Sequence, residues 1–158
     1  MGVTVTPKPA LGALDIWIGG NSDAALKRVA RYGDGWFPSR MTPQEFDVKM
    51  DRLMNYCAEV GREVDRDEAG VIIPSHLDHD HDGVREVRDR YLERMDMNAP
   101  DESFKKYTAF GTPQECVRTI QEYVDAGCTK FVLMPVGPVS ERIHQIKLYK
   151  RDVIPEIV

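Results

Sequence analysis

The sequence predicts an α/β fold with about four parallel strands and flanking helices. Three observations predict it. Short β-prone runs alternate with longer stretches whose apolar residues recur every three to four positions, which is the pattern of a parallel sheet with right-handed crossovers. The run Phe131-Val-Leu-Met134 is apolar on both faces, as a buried parallel strand requires. The tetrapeptide Thr-Pro-Gln-Glu occurs at both 42–45 and 112–115. Each copy has helix-start chemistry: Thr caps, Pro suits the first position and Glu reaches back to the cap. A duplicated βα unit would give such a repeat, but two capping boxes converging on the same good chemistry explain it better.

Residues 1–13 carry Pro and Gly and read as an extended lead-in. Ile16, Trp17 and Ile18 are β-prone and apolar, so they form the first strand. Gly19 and Gly20 remove side chains where the chain turns. Asn21, Ser22 or Asp23 then caps a helix with Leu26, Val29 and Ala30 on one face. Gly33 is placed to end that helix in the left-handed conformation, and Trp36-Phe37 is the second strand. The helix opened by Thr42 carries Phe46, Met50, Leu53, Met54 and Cys57, and stops at Gly61. Val71-Ile-Ile73 is the third strand, ended by Pro74. Asp78–Gly83 is a polar loop, followed by a helical stripe of Val84, Val87, Tyr91 and Met95.

Residues 97–110 are poorly patterned and predict a mobile connection with a short helix at 102–107. The helix after Thr112 turns Val117, Ile120 and Val124 inward and stops at Gly127. Phe131–Met134 is the fourth strand. Ser140 caps a last helix with Ile143, Ile146 and Tyr149 on its apolar side.

A chain of 158 residues fits one domain, 1–158, and buries about two thirds of its unfolded surface. The net charge of −5, with both signs mixed along the helices, excludes a general nucleic-acid binder. No apolar run approaches the roughly 18 residues of a membrane span, and the start lacks a signal-peptide centre. Cys57, Cys116 and Cys128 have no CxxC spacing and predict reduced thiols in a cytoplasmic protein.

Four features occur in one order along the chain. They are Trp17-Ile-Gly-Gly20, the Ala- and Arg-bearing helix 24–32 with Gly33-Asp-Gly-Trp36, Gly61-Arg62 after a long helix, and Gly111-Thr-Pro-Gln-Glu115 leading to Asp125-Ala-Gly127 and the strand 131–134. In that order they resemble the C-terminal half of the luciferase-like monooxygenase family, flavin- and deazaflavin-dependent (β/α)8 enzymes. The resemblance implies half of a TIM-type barrel, since a whole one takes roughly 250 residues. It further implies an oxidoreductase of the monooxygenase type in truncated form, acting on a small molecule with FMN or a 5-deazaflavin coenzyme. A binding module without catalysis, or an inactive gene fragment, is the alternative. Four strands of a barrel leave two open edges, which predicts a homo-oligomer.

The resemblance places the coenzyme phosphate at Gly19, Gly20, Asn21 and Ser22, where a helix start offers free N–H groups and a favourable dipole. It makes Trp36 a wall beside the coenzyme and brings Ser39 to a phosphate or substrate. The same turn without a ligand is an ordinary capped βα turn. Arg40 reads as a surface charge that could also meet an anion, and Asp34 as a turn former. Asp78, Asp80, Asp82 and Gly83 match the start of a calcium loop, but Arg85 and Asp89 break the pattern. His76, His79 and His81 alternate, which on extended chain puts them on one side. The loop reads as solvated polar chain, with His76 able to approach a ligand. No metal site and no catalytic residue is assigned.

Overall fold

A computed structural model describes residues 6–10, 12, 14–97 and 104–157, and the structural statements below concern these. The order is β1 (Trp17–Ile18), α1 (Asp23–Tyr32), β2 (Gly35–Trp36), α2 (Pro43–Glu59), β3 (Gly70–Leu77), α3 (His81–Arg94), β4 (Ala109–Gly111), α4 (Pro113–Asp125), β5 (Lys130–Pro135) and α5 (Arg142–Asp152). Every strand pair is parallel. β1 pairs with β2, and β3 lies between β4 and β5. Isolated bridges Trp36↔Ala69 and Ser39↔Ile72 join β2 to β3. The spatial order is therefore β1-β2-β3-β5, with β4 beside the end of β3. Five strands stand where about four were predicted; the extra one, Ala109–Gly111, falls in the connection expected to be mobile. Phe104 and Lys105 are helical there, and residues 102–103 of the predicted short helix lie outside the described residues.

β3 runs through Pro74 to Leu77 instead of ending at the proline. Ile72 N–H donates to Pro38 and Asp78 N–H donates to Gly111, so the even residues of β3 face β2 first and β4 later. The N–H that Pro74 lacks would point into the gap between those two partners, so no ladder bond is lost. On the other edge Val136 N–H donates to the Ser75 carbonyl, and β5 then leaves. Gln145 of α5 takes its place. Its amide accepts from Leu77 N–H and donates to the Leu77 carbonyl, both at 2.8 Å. This buried side chain continues the ladder for one more residue.

Helices cover one face of the strands. Leu26 and Val29 of α1, Phe46, Met50 and Leu53 of α2, Cys116, Ile120 and Tyr123 of α4, and Leu148 and Tyr149 of α5 pack on Ile18, Trp36, Val71, Ile73 and Leu77. The spacing of these residues made the faces of α1 and α2 legible. Both capping boxes form as predicted, Thr42 with Glu45 and Thr112 with Glu115. A second cluster, with Val84, Tyr91, Phe104, Phe110 and Val136, joins α3 to the carboxyl ends of β4 and β5. The opposite face of the sheet carries Trp17, Phe37, Ile72, Val132 and Met134. Trp17 and Phe37 lie edge to face there, at 5.5 Å. Gly35 and Gly70 make their room: a Cβ on Gly35 would sit 2.6 Å from the Trp17 ring, and one on Gly70 would strike the Phe37 ring.

Three local expectations are corrected. Gly33 is extended (φ −91, ψ 152), because the chain must turn straight into β2. Val139–Glu141 form a 3-10 turn, so α5 starts at Arg142 with no side-chain cap from Ser140. On α5, Ile143 and Ile146 are exposed, and Gln145, Leu148 and Tyr149 are the buried residues.

Candidate functional site

The carboxyl ends of β1, β2, β3 and β5 open on one rim, the end where (β/α)8 proteins place their chemistry. The Gly19–Ser22 turn stands at the end of β1. Gly20 has φ +98, a backbone region that side chains rarely adopt, and a Cβ there would lie 3.0 Å from the Ala25 Cβ. A Cβ on Gly19 would lie 3.3 Å from the Phe37 carbonyl. Ser22 caps α1: its hydroxyl accepts from Ala25 N–H at 3.2 Å. Gly19, Gly20, Asn21 and Ser22 are all exposed, so a ligand can reach the backbone.

Trp36 is fully buried on the helix side, stacked on Phe46 at 5.4 Å. Its indole N–H donates to the Gly20 carbonyl at 2.8 Å. The structure thus sets Trp36 behind the turn, where it fixes the Gly20 peptide, and not beside the rim. Ser39 is exposed at the end of β2 and bridges to Ile72. Arg40, next in the chain, is exposed with φ 52.

Cations gather at the start of α1. The Lys49 ammonium donates to the Asn21 carbonyl at 2.5 Å, and Arg52 pairs with Asp23 at 2.8 Å. The Arg52 hydrogen bond holds the Asp23 carboxyl below its ordinary range, and Lys27 and Lys49 add to the effect. Three cations thus surround one carboxylate in a chain of net charge −5. With the helix dipole, this favours an added anion. Nothing in the pattern of α2 marks Lys49 or Arg52, which read as solvated charges. Only the packing of α2 beside α1 brings them to the turn.

The three histidines separate. His76 is buried in β3, and its Nδ1–H donates to the Val136 carbonyl at 2.9 Å. His79 and His81 are exposed and lie 3.9 Å from Asp152 and 3.8 Å from Glu115. The three do not share a side: His76 and His79 are three residues apart, which on extended chain puts them on opposite faces, and the chain turns into α3 at His81 with Asp80 as its cap. Asp34 ties the start of β1: its carboxylate accepts from Ile16 N–H at 2.9 Å. Cys57, Cys116 and Cys128 are free and buried, and burial raises the Cys116 thiol to about 11 and Cys128 to about 12. Such thiols are not nucleophiles near neutral pH. No helix among the described residues is long and apolar enough to cross a membrane.

Comparison with known proteins bears on the family and the fold. Residues 1–130 match the family model described as luciferase-like monooxygenase. A 5,10-methylenetetrahydromethanopterin reductase of Archaeoglobus fulgidus is 22% identical, over 92% of this chain and 55% of its own length. The structure of the coenzyme F420-dependent tetrahydromethanopterin reductase of Methanopyrus kandleri superposes with a TM-score of 0.66 at 20% identity, over 92% of this chain and 51% of that one. An F420-dependent secondary alcohol dehydrogenase superposes with a TM-score of 0.74 at 17% identity, over 92% of this chain and 49% of that one. The chain spans about half the length of the relatives it matches. On the family model and the shared fold, it belongs to the luciferase-like monooxygenase family.

Proposed function

We propose that this chain is the coenzyme-phosphate half of a flavin- or deazaflavin-dependent oxidoreductase that acts on a small molecule. The observation that carries the reading is the Gly19–Ser22 turn. It has glycine-only backbone, an indole that locks one peptide, a capped helix start and a lysine ammonium at its rim. These features fit the phosphate of FMN or of a 5-deazaflavin coenzyme. Gly19 and Gly20 let the backbone approach, Asn21 and Ser22 border the anion, Lys49 adds charge, and Ser39 faces the same rim. The coenzyme supplies the redox chemistry, and the protein binds and orients it.

We infer that the partly open sheet face, and the edges of β1 and β5 that are unpaired among the described residues, are closed by a second copy of this chain. Four barrel strands from each of two copies give the eight that a closed barrel needs. Residues 1–158 act as one domain in this assembly.

The test is a fluorescence titration with FMN and, separately, with the deazaflavin coenzyme. Saturable micromolar binding, abolished in Gly20→Val, is the expected result. A folded protein that binds neither overturns the reading. Binding without turnover in the closed assembly would instead identify a coenzyme-binding module.

A further inference from the structure

A cavity of about 180 Å³ opens on the same rim, at the far end of the half barrel from the glycine turn. Val87, Arg90, Tyr91 and Arg94 of α3 line it, facing the segment Val136-Gly-Pro138 that follows β5. The spacing of three, four and seven puts the four α3 residues on one helix face. Tyr91 is buried against Phe104 and Phe110, so this wall is fixed.

The two arginines are the charged groups of the lining. The Arg94 guanidinium lies 5.8 Å from the centre of the Tyr91 ring. Arg90 pairs with Glu86, one helical turn away and on the exposed rim, where such a pair holds little energy. The next carboxylate on α3, Asp89, is engaged by Arg88. Glu93 also lies on this helix, beside Arg94, but the lining itself holds the two guanidiniums and no carboxylate. Gly137 has φ 130, a backbone region that side chains rarely adopt, and a Cβ there would make ordinary contact with Val87 and the His76 ring at 3.7–3.8 Å. (β/α)8 enzymes frequently hold phosphate in the loops after their last two strands. Here β3 and β5 are the last two of the four barrel strands.

We propose that this cavity is an oxyanion subsite for a small molecule that carries a phosphate or carboxylate on a flat apolar body. Arginine forks suit such groups because two N–H donors can meet two oxygens at once. Val87, Tyr91, Val136 and Pro138 supply apolar contact for the body. As an anchor for the substrate, the subsite rests on the oxidoreductase reading; as an anion site it stands without it.

Phenyl phosphate is the probe, titrated by calorimetry into the wild-type protein, with phenol and inorganic phosphate titrated separately. Saturable binding of phenyl phosphate, tighter than either part alone, is expected. The double variant Arg90→Gln, Arg94→Gln should weaken it by about tenfold or more, the cost of losing charged hydrogen bonds. Gly20→Val should leave it unchanged while removing FMN binding. Wild-type strength in the arginine variant, or no saturable binding by wild type, overturns the subsite. Loss of phenyl phosphate binding in Gly20→Val moves the ligand to the glycine turn, which overturns the subsite and leaves the coenzyme reading intact. Phenyl phosphate binding as expected, without FMN binding, keeps the subsite and sinks the coenzyme reading.

Discussion

The helix-covered wall and the two flanks of this half barrel use the same residue types and meet opposite fates. On the wall, Trp36, Phe46, Leu26, Leu53 and Val71 are all fully buried. On the flanks, Leu14 and Ile16 beside β1, Val132 and Met134 on the bare face of β5, and Ile143 and Ile146 on α5 are all at least 40% exposed. Isolated exposed apolar residues are ordinary; six placed at the two ends of one sheet are the surface that the proposed second copy would cover. Parallel sheets are rarely left with one face bare. The difference teaches that the wall holds this chain's packing, while the flanks keep apolar side chains uncovered among the described residues.

The largest expected effect is at the wall. Trp36→Ala removes a fully buried indole, its stack on Phe46 and the donor to the Gly20 carbonyl. Loss of about 3–5 kcal/mol is expected from the emptied volume alone. Urea unfolding followed by circular dichroism measures it. Trp36→Phe should recover most of that stability and still bind FMN more weakly than wild type, because no ring N–H remains to hold Gly20. Equal FMN binding by Trp36→Phe and wild type would deny the indole its part in shaping the turn.

The flanks should behave in the reverse way. Ile143→Asp with Ile146→Asp touches no described core contact, so the unfolding free energy of the isolated chain should move by only about 0.5 kcal/mol. Self-association should be lost, which light scattering across protein concentration would show. A wild-type chain that stays folded and monomeric at every concentration removes the second copy as the closing wall. A flank variant that unfolds as readily as Trp36→Ala would erase the distinction between the two regions.

The two capping boxes sharpen the comparison within the wall. Thr42→Ala and Thr112→Ala each remove a hydroxyl that accepts from the third helical N–H, at 3.2 and 3.4 Å. Each should cost about 1 kcal/mol, read as a drop in thermal midpoint.

These caps were legible because their chemistry is local: Thr, Pro and Glu at fixed spacing satisfy the same few N–H groups wherever they occur. The faces of α1 and α2 were legible for a similar reason, since a single helix period sorts their residues. α5 misled because it carries apolar residues on two sides. Periodicity alone could not tell the side that packs on β3 and β5 from the side left open, and a buried Gln145 on the packed side broke the pattern further. Pro74 misled because its meaning depends on which edge of β3 lacks a donor, and that depends on strands distant in sequence. At the site, the glycine turn was visible because only glycine relieves its geometry. Lys49 and Arg52 were not, because nothing in α2 records that α1 lies beside it. Trp36 reads as a wall beside the coenzyme, and the structure buries it on the helix side, behind the turn. One residue of strand parity decides which face of the sheet a side chain takes, and a two-residue strand holds too little pattern to settle that.

The smallest expected effect is a pH dependence at Glu115, and it compares the box of α4 with the exposed acid at the start of α1. The Thr112 backbone N–H donates to the Glu115 carboxylate at 2.8 Å, and that bond is the main reason its affinity for a proton falls below the ordinary 4.5. The Thr112 hydroxyl and nearby His81 act in the same direction. A carboxyl lowered by folding binds its proton more weakly in the native state. Its stabilising contribution is therefore complete above pH 4.5 and is lost as the pH falls through the lowered native value. Glu115→Gln should flatten the stability–pH curve below 4.5, while keeping an amide oxygen able to accept from Thr112. Asp23→Asn should flatten it less, because the partner that lowers Asp23 is a solvent-exposed arginine screened by salt, whereas a backbone N–H is held by the fold. Raising the salt concentration should erase the Asp23 contribution first. If both contributions fade together with salt, the Glu115 effect is a surface charge effect and the box contributes nothing specific to it.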